Sequence, residues 1–195
     1  MTIIVEKQLH TVKDFALFTA RSENVDRLFE LIHGEIVEKV VTEEHGIIAL
    51  NIGALIRAYV KPKGLGRVGV EVSHRVAGDR YNERLPDVSF RTTTSEPVVK
   101  QGSVPRMPDL AVEVKSPGNS YTSLRQKAEY MLQNGALIVW LIYPEKQIVE
   151  VCTLTDEGDL PDSMRVEAIG MNGTVGSGYV LPGLKVAVSD IFDLD

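Results

Sequence analysis

Two short segments hold residue types that could do chemistry together: Pro86-Asp87 and, further along, Glu113-Val114-Lys115. Both lie in strand-like runs, residues 85–90 and 109–115. Side chains alternate faces along a strand. Leu110, Val112 and Val114 therefore share one face, and Asp109, Ala111, Glu113 and Lys115 share the other. Glu113 and Lys115 are then roughly 7 Å apart. Asp87 and Ser89 likewise oppose Val88 and Phe90. If the two strands are neighbours, Asp87 and Glu113 converge. Paired ionised carboxylates repel and persist where a cation lies between them. All-oxygen ligation with few protein ligands suits Mg²⁺, or Mn²⁺ in its place. Such an ion activates water and offsets charge on a phosphate, and a lysine alongside can orient the water or stabilise the transition state. An acid, an acid and a lysine thus suffice for metal-dependent phosphodiester hydrolysis. The alternative reading of the same residues is a solvent-facing strand held by ordinary ion pairs.

The rest of the chain must position these groups. Its 195 residues are 44% hydrophobic and 25% charged, a single-domain length with ordinary globular composition. One cysteine, Cys152, allows no intramolecular disulfide, and the expected compartment is the reducing cytoplasm. The longest apolar run, residues 136–143, is far short of the ~20 residues that cross a bilayer, and residues 1–10 lack an apolar signal core. Net charge is −6, which excludes a protein that coats nucleic acid electrostatically. The charge is uneven, however. Residues 57–106 hold ten Lys and Arg against five Asp and Glu, a local +5 that leaves −11 for the remainder. This stretch reads either as solvated charge or as a basic flank beside an acidic body.

Residues 11–21 and 25–31 read as short helical pieces, forming with the first residues an N-terminal extension over 1–24 and the start of a core over 25–154. Gly34 turns the chain into a half-buried strand over 35–40. Thr42 then caps a helix with Glu43 and Glu44 in its first turn and Ile48, Ile52, Leu55 and Tyr59 on one face. Residues 67–72 and 73–76 read as strands. A second amphipathic helix over 121–134 uses Leu124, Ala128, Met131 and Leu132 and ends at Gly135. The apolar run 137–143 predicts a buried central strand, paired with 147–154. Residues 155–195 form a β-rich C-terminal segment. The order predicts one α/β domain, a mixed sheet flanked by helices.

Pro86-Asp87 with Glu113-Val114-Lys115 resembles the PD-(D/E)XK signature of restriction-endonuclease-like nucleases. The surrounding residues resemble one branch, the Uma-type restriction endonuclease family. They are Phe29-Glu30-Leu31-Ile32-His33-Gly34-Glu35, Pro86-Asp87-Val88, Pro108-Asp109-Leu110, Ser116-Pro117, Lys127-Ala128-Glu129-Tyr130 and Val139-Trp140-Leu141-Ile142. The resemblance covers about residues 25–143. It implies a restriction-endonuclease-like fold, Asp87 and Glu113 as metal ligands, and the Val114 carbonyl completing the metal site. It implies Lys115 as the catalytic lysine, or Lys127, because many relatives use a lysine from the following helix. Gln126 and Tyr130 match a helix motif of related exonuclease-type members. Asp109 is either a strand-entry residue or an accessory ligand. Glu44 is either a helix-start acid or a further carboxylate for the metal. His10, His33 and His74 show no metal-cluster spacing.

The function expected is that of a Mg²⁺-dependent nuclease, with DNA as the expected substrate and a twofold dimer for duplex cleavage. Two further readings keep the same residues: a catalytically silent nucleic-acid-binding or regulatory module, and a small-molecule phosphoesterase.

Overall fold

The structure, a computed structural model, describes residues 9–92, 96–155 and 163–195. Its first helix, α1 (Val12–Thr19), starts on a reciprocal cap between Thr11 and Asp14. It is followed by a hairpin, not a second helix. β1 (Leu28–Ile32) pairs antiparallel with β2 (Glu35–Lys39). The helix expected over residues 25–31 is displaced because Phe29, Glu30 and Leu31 alternate with period two. Phe29 and Leu31 pack on Phe15 of α1. Glu30, Val37 and Lys39 lie on the opposite face by the register Glu30↔Val37 and Leu28↔Lys39. The two-residue turn His33-Gly34 has φ of 48° and 82°, the doubly left-handed turn that matches strand twist. A Cβ at Gly34 would also meet Leu9 Cβ at 2.8 Å.

α2 (Glu43–Val60) begins at Thr42, whose hydroxyl accepts the His45 N–H. Beyond it lies a six-stranded sheet: β3 (Gly66–Val70), β4 (Val88–Thr92), β5 (Leu110–Val114), β6 (Ile138–Tyr143), β7 (Ile148–Leu154) and β8 (Met164–Gly170), in that spatial order. Only β5 and β6 are parallel; they are joined by α3 (Tyr121–Gln133). The sheet is thus mixed, and both of its faces are covered. Ile48, Ile52 and Ile56 of α2 pack on Val88, Phe90, Val112 and Trp140, while Leu124, Ala128 and Met131 of α3 cover Ala111, Val139 and Leu141. The second strand expected over 73–76 reduces to single bridges from His74 to Arg84 and Val104. β9 (Thr174–Gly176), β10 (Lys185–Ala187) and α4 (Val188–Ile191) close the fold, with Asn51 of α2 donating to the Asp193 carbonyl. Among the described residues no helix is long and apolar enough to cross a membrane.

Candidate active site

β4 and β5 run antiparallel with Val88 opposite Val112, so one step further Asp87 stands opposite Glu113. There the backbone ladder gives way to a side chain: Asp87 Oδ2 accepts the Val114 N–H at 2.6 Å. Its other oxygen is 2.8 Å from His45 Nε2 and 2.5 Å from Lys39 Nζ. Asp87 is only 1% exposed. Burial alone would raise its pKa, but the His45 hydrogen bond and the Lys39 charge bring the carboxyl down to about 2. An ionised carboxylate only accepts, so His45 Nε2 carries the proton of that bond. His45 Nδ1 lies 3.0 Å from Ser116 Oγ, which fixes the ring from its far side.

Glu113, 2% exposed, sits in the opposite electrostatic state. Burial pushes its carboxyl up to about 7, assisted by the charges of Glu30 and Asp87 and opposed by Lys127. Lys127 of α3 bridges two acids, with Nζ 2.8 Å from Glu113 Oε2 and 2.8 Å from Glu30 Oε2. Although burial disfavours its charge, these two carboxylates hold the ammonium protonated. Glu30 Oε1 also accepts the Leu85 N–H at 2.9 Å, and despite burial its carboxyl stays below the ordinary value. The remaining oxygen, Glu113 Oε1, is buried with no hydrogen-bond partner among the described residues.

Glu30, Lys39, His45, Glu113, Val114 and Lys127 line a cleft of about 840 Å³, while Asp87 is buried outside that lining. The β1–β2 hairpin supplies one wall and α3 another, with Gln126 and Tyr130 also facing the space. Arg84 lies beneath, its guanidinium 4.2 Å from the Tyr130 ring centre, and Tyr130 donates to Asp79 Oδ2 at 2.7 Å.

The structure therefore brings together Asp87, Glu113, Val114 and Lys127. It does not bring Lys115 to them. Lys115 pairs with Glu145 at 3.2 Å and lines a separate cavity of about 240 Å³, shared with Glu44 and His45. β5 ends at Val114, and the turn after β6 presents Glu145 to the lysine. Asp109 stands at the other end of β5, about 13 Å away by strand rise. It accepts the Thr92 N–H and an Arg106 N–H, the contacts of a strand-entry residue. The basic stretch is dispersed too. Arg84 is buried near the cleft, while Arg57 lies twelve residues, about 18 Å, beyond His45 along α2.

Glu30, Lys39 and His45 were not singled out by the sequence reading as members of the site. The alternation of Glu30 with Phe29 and Leu31, and the burial implied by His45 on an amphipathic helix, were the available signals.

The fold and the cleft define a restriction-endonuclease-like domain with two acids and a lysine at its base. The chain belongs to the Uma2 family, described as "Putative restriction endonuclease", whose model matches residues 13–189. The fold is shared with a structure titled a "putative nuclease belonging to DUF820" from Anabaena variabilis ATCC 29413. The TM-score is 0.74 at 23% identity, over 93% of this chain and 97% of that one. No curated protein matches the chain.

Proposed function

We propose that the chain is a nuclease that hydrolyses phosphodiester bonds of DNA with the help of Mg²⁺ or Mn²⁺. One observation carries this reading: Glu113, which lines the cleft and stands opposite Asp87, has a buried carboxyl oxygen, Oε1, without a hydrogen-bond partner among the described residues. Buried polar atoms are almost always satisfied, and an acid oxygen beside a second acid is suited to a hard cation. Among the described residues no three His, Cys, Asp or Glu side chains group around a metal position. The donor set in this reading is Asp87, Glu113 and the Val114 carbonyl, with water completing it, as Mg²⁺ prefers. When bound, the cation would activate water and offset phosphate charge.

The chain's own residues do the rest. Asp87 is held ionised and oriented by His45 and the Val114 N–H. Glu113 is held by Lys127, whose protonated ammonium serves as a hydrogen-bond donor and fixed positive charge toward a phosphate, not as a base. Glu30 keeps that ammonium in place. Cleavage of both strands of a duplex asks for two sites, so the active species in this reading is a twofold homodimer.

Nicking of supercoiled plasmid with Mg²⁺ or Mn²⁺ tests the reading, with single-stranded DNA and RNA as parallel substrates. Cation-dependent cleavage that disappears in both Asp87→Asn and Glu113→Gln supports it. Cleavage surviving both substitutions overturns the site. Nucleic-acid binding without cleavage makes the protein a silent module on the same fold.

A further inference from the structure

We propose that Lys39 is the resident counter-cation of the Asp87–Glu113 site, and that a divalent cation enters by displacing its ammonium. The inference rests on the metal site argued above and assigns a role to a residue outside it.

The argument begins with the coordination of Asp87. A carboxylate offers about four lone-pair positions. Three are occupied: Oδ2 by the Val114 N–H, Oδ1 by His45 Nε2 and by Lys39 Nζ. A cation that takes Oδ1 displaces one of its two donors, and one that takes the remaining position on Oδ2 is added to a carboxylate that already carries the Lys39 ammonium. The Val114 N–H is backbone at the end of β5 and cannot leave without breaking the strand pair. The His45 ring is anchored on α2 and held at its other nitrogen by Ser116. Lys39 is different. It is the last residue of β2, it lines the cleft, and its ammonium sits on a flexible four-carbon stem with one other contact, the Leu85 carbonyl at 2.8 Å. It is the donor free to withdraw.

Charge balance points the same way. With Glu113 ionised, as a bound cation would hold it, Glu30, Asp87 and Glu113 contribute three negative charges, and Lys39, Lys127 and Arg84 three positive ones. A divalent cation added to that set leaves +2. The same cation with Lys39 withdrawn leaves +1, which one phosphodiester anion neutralises. Lys127 cannot play the exchanging part as easily, because it bridges Glu30 and Glu113 and its departure strands two buried carboxylates.

Lys39 therefore occupies the cation-free site and lowers its affinity for the cation.

The test measures free Mn²⁺ by electron paramagnetic resonance against the full chain, wild type, Lys39→Met, Lys39→Gln, Lys39→Arg and Asp87→Asn. The expected result is Mn²⁺ affinity at least tenfold higher in the Met and Gln variants, close to wild type in the Arg variant, and lost in Asp87→Asn. A lysine-acylation footprint of the wild type gives a readout that needs no folded variant. Saturating Mn²⁺ should raise labelling of Lys39 several-fold and leave Lys127 protected. Neutral variants binding no tighter than wild type, or Lys39 labelling unchanged at saturating Mn²⁺, overturns the exchange while leaving the metal site intact. Mn²⁺ binding absent throughout, or indifferent to Asp87→Asn, overturns the metal site and the exchange with it.

Discussion

Asp87 and Glu113 stand opposite each other across β4 and β5, yet their proton affinities differ widely: Asp87 titrates near 2 and Glu113 near 7. Both are buried, so burial is not the difference. Asp87 receives three donors, two of them on cation-forming side chains. Glu113 receives one, and two further carboxylates face it. Pairs of acids driven apart in this way are a recurring property of catalytic sites.

Asp87→Asn and Glu113→Gln are each expected to reduce cation-dependent plasmid nicking by on the order of a thousandfold. That corresponds to the several kcal/mol of charge stabilisation that a bound ion supplies. Initial rates at saturating Mn²⁺ check it.

Lys127→Met and Lys115→Met should separate sharply. Removing Lys127 leaves Glu30 and Glu113 buried without their cation, at about 3–5 kcal/mol of stability, and abolishes cleavage. Adding Glu30→Gln to Lys127→Met should return part of that stability without returning activity. Lys115→Met breaks a pair with the partly exposed Glu145 and a contact over the Tyr121 ring, and should cost about 1 kcal/mol. Urea denaturation of the three variants, together with nicking rates, decides the matter.

His74 carries a pH dependence. Its Nδ1 bonds the Arg106 carbonyl and so holds the proton; Nε2 is buried with no hydrogen-bond partner among the described residues. Burial depresses its pKa to about 4, opposed by the Arg106 carbonyl and assisted by the charges of Arg91 and Arg106. Between pH 6.5 and 4 the unfolded chain binds a proton that the folded one does not, so stability from this residue is lost as pH falls through that window. The full loss is about 3 kcal/mol. His74→Gln should therefore gain about 2 kcal/mol relative to wild type between pH 7 and pH 5. Parallel denaturation curves at the two pH values, with an unchanged difference between the proteins, would contradict it.

Gly34→Ala should destabilise by about 1–2 kcal/mol, since φ of 82° is strained for alanine and the new methyl meets Leu9. Because the same turn sets the register that carries Glu30 and Lys39 into the cleft, cleavage should fall along with the melting temperature. Thermal melts and nicking rates on one preparation test both.

Much of the architecture was legible from local pattern. The α2 start at Thr42, the α3 face of Leu124, Ala128 and Met131, and the buried run that became β6 all follow from capping and periodicity over a few residues. The helix expected over 25–31 failed because Phe29, Glu30 and Leu31 alternate with the period of a strand. The hairpin turn at His33-Gly34 then selected the strand.

For the site, the sequence by itself determined which residues could do the chemistry. Asp87 at a strand entrance and Glu113 on an alternating strand are chemical types in local frames; they stand opposite each other, and Glu113 lines the cleft. Which cations meet them was decided only by the tertiary structure. His45 is 42 residues from Asp87, and Lys127 is 97 from Glu30. Such pairings depend on how a hairpin, two helices and the ends of two interior strands are packed against one another. No local periodicity encodes that, and the same packing sent Lys115, next but one to Glu113, to Glu145 instead.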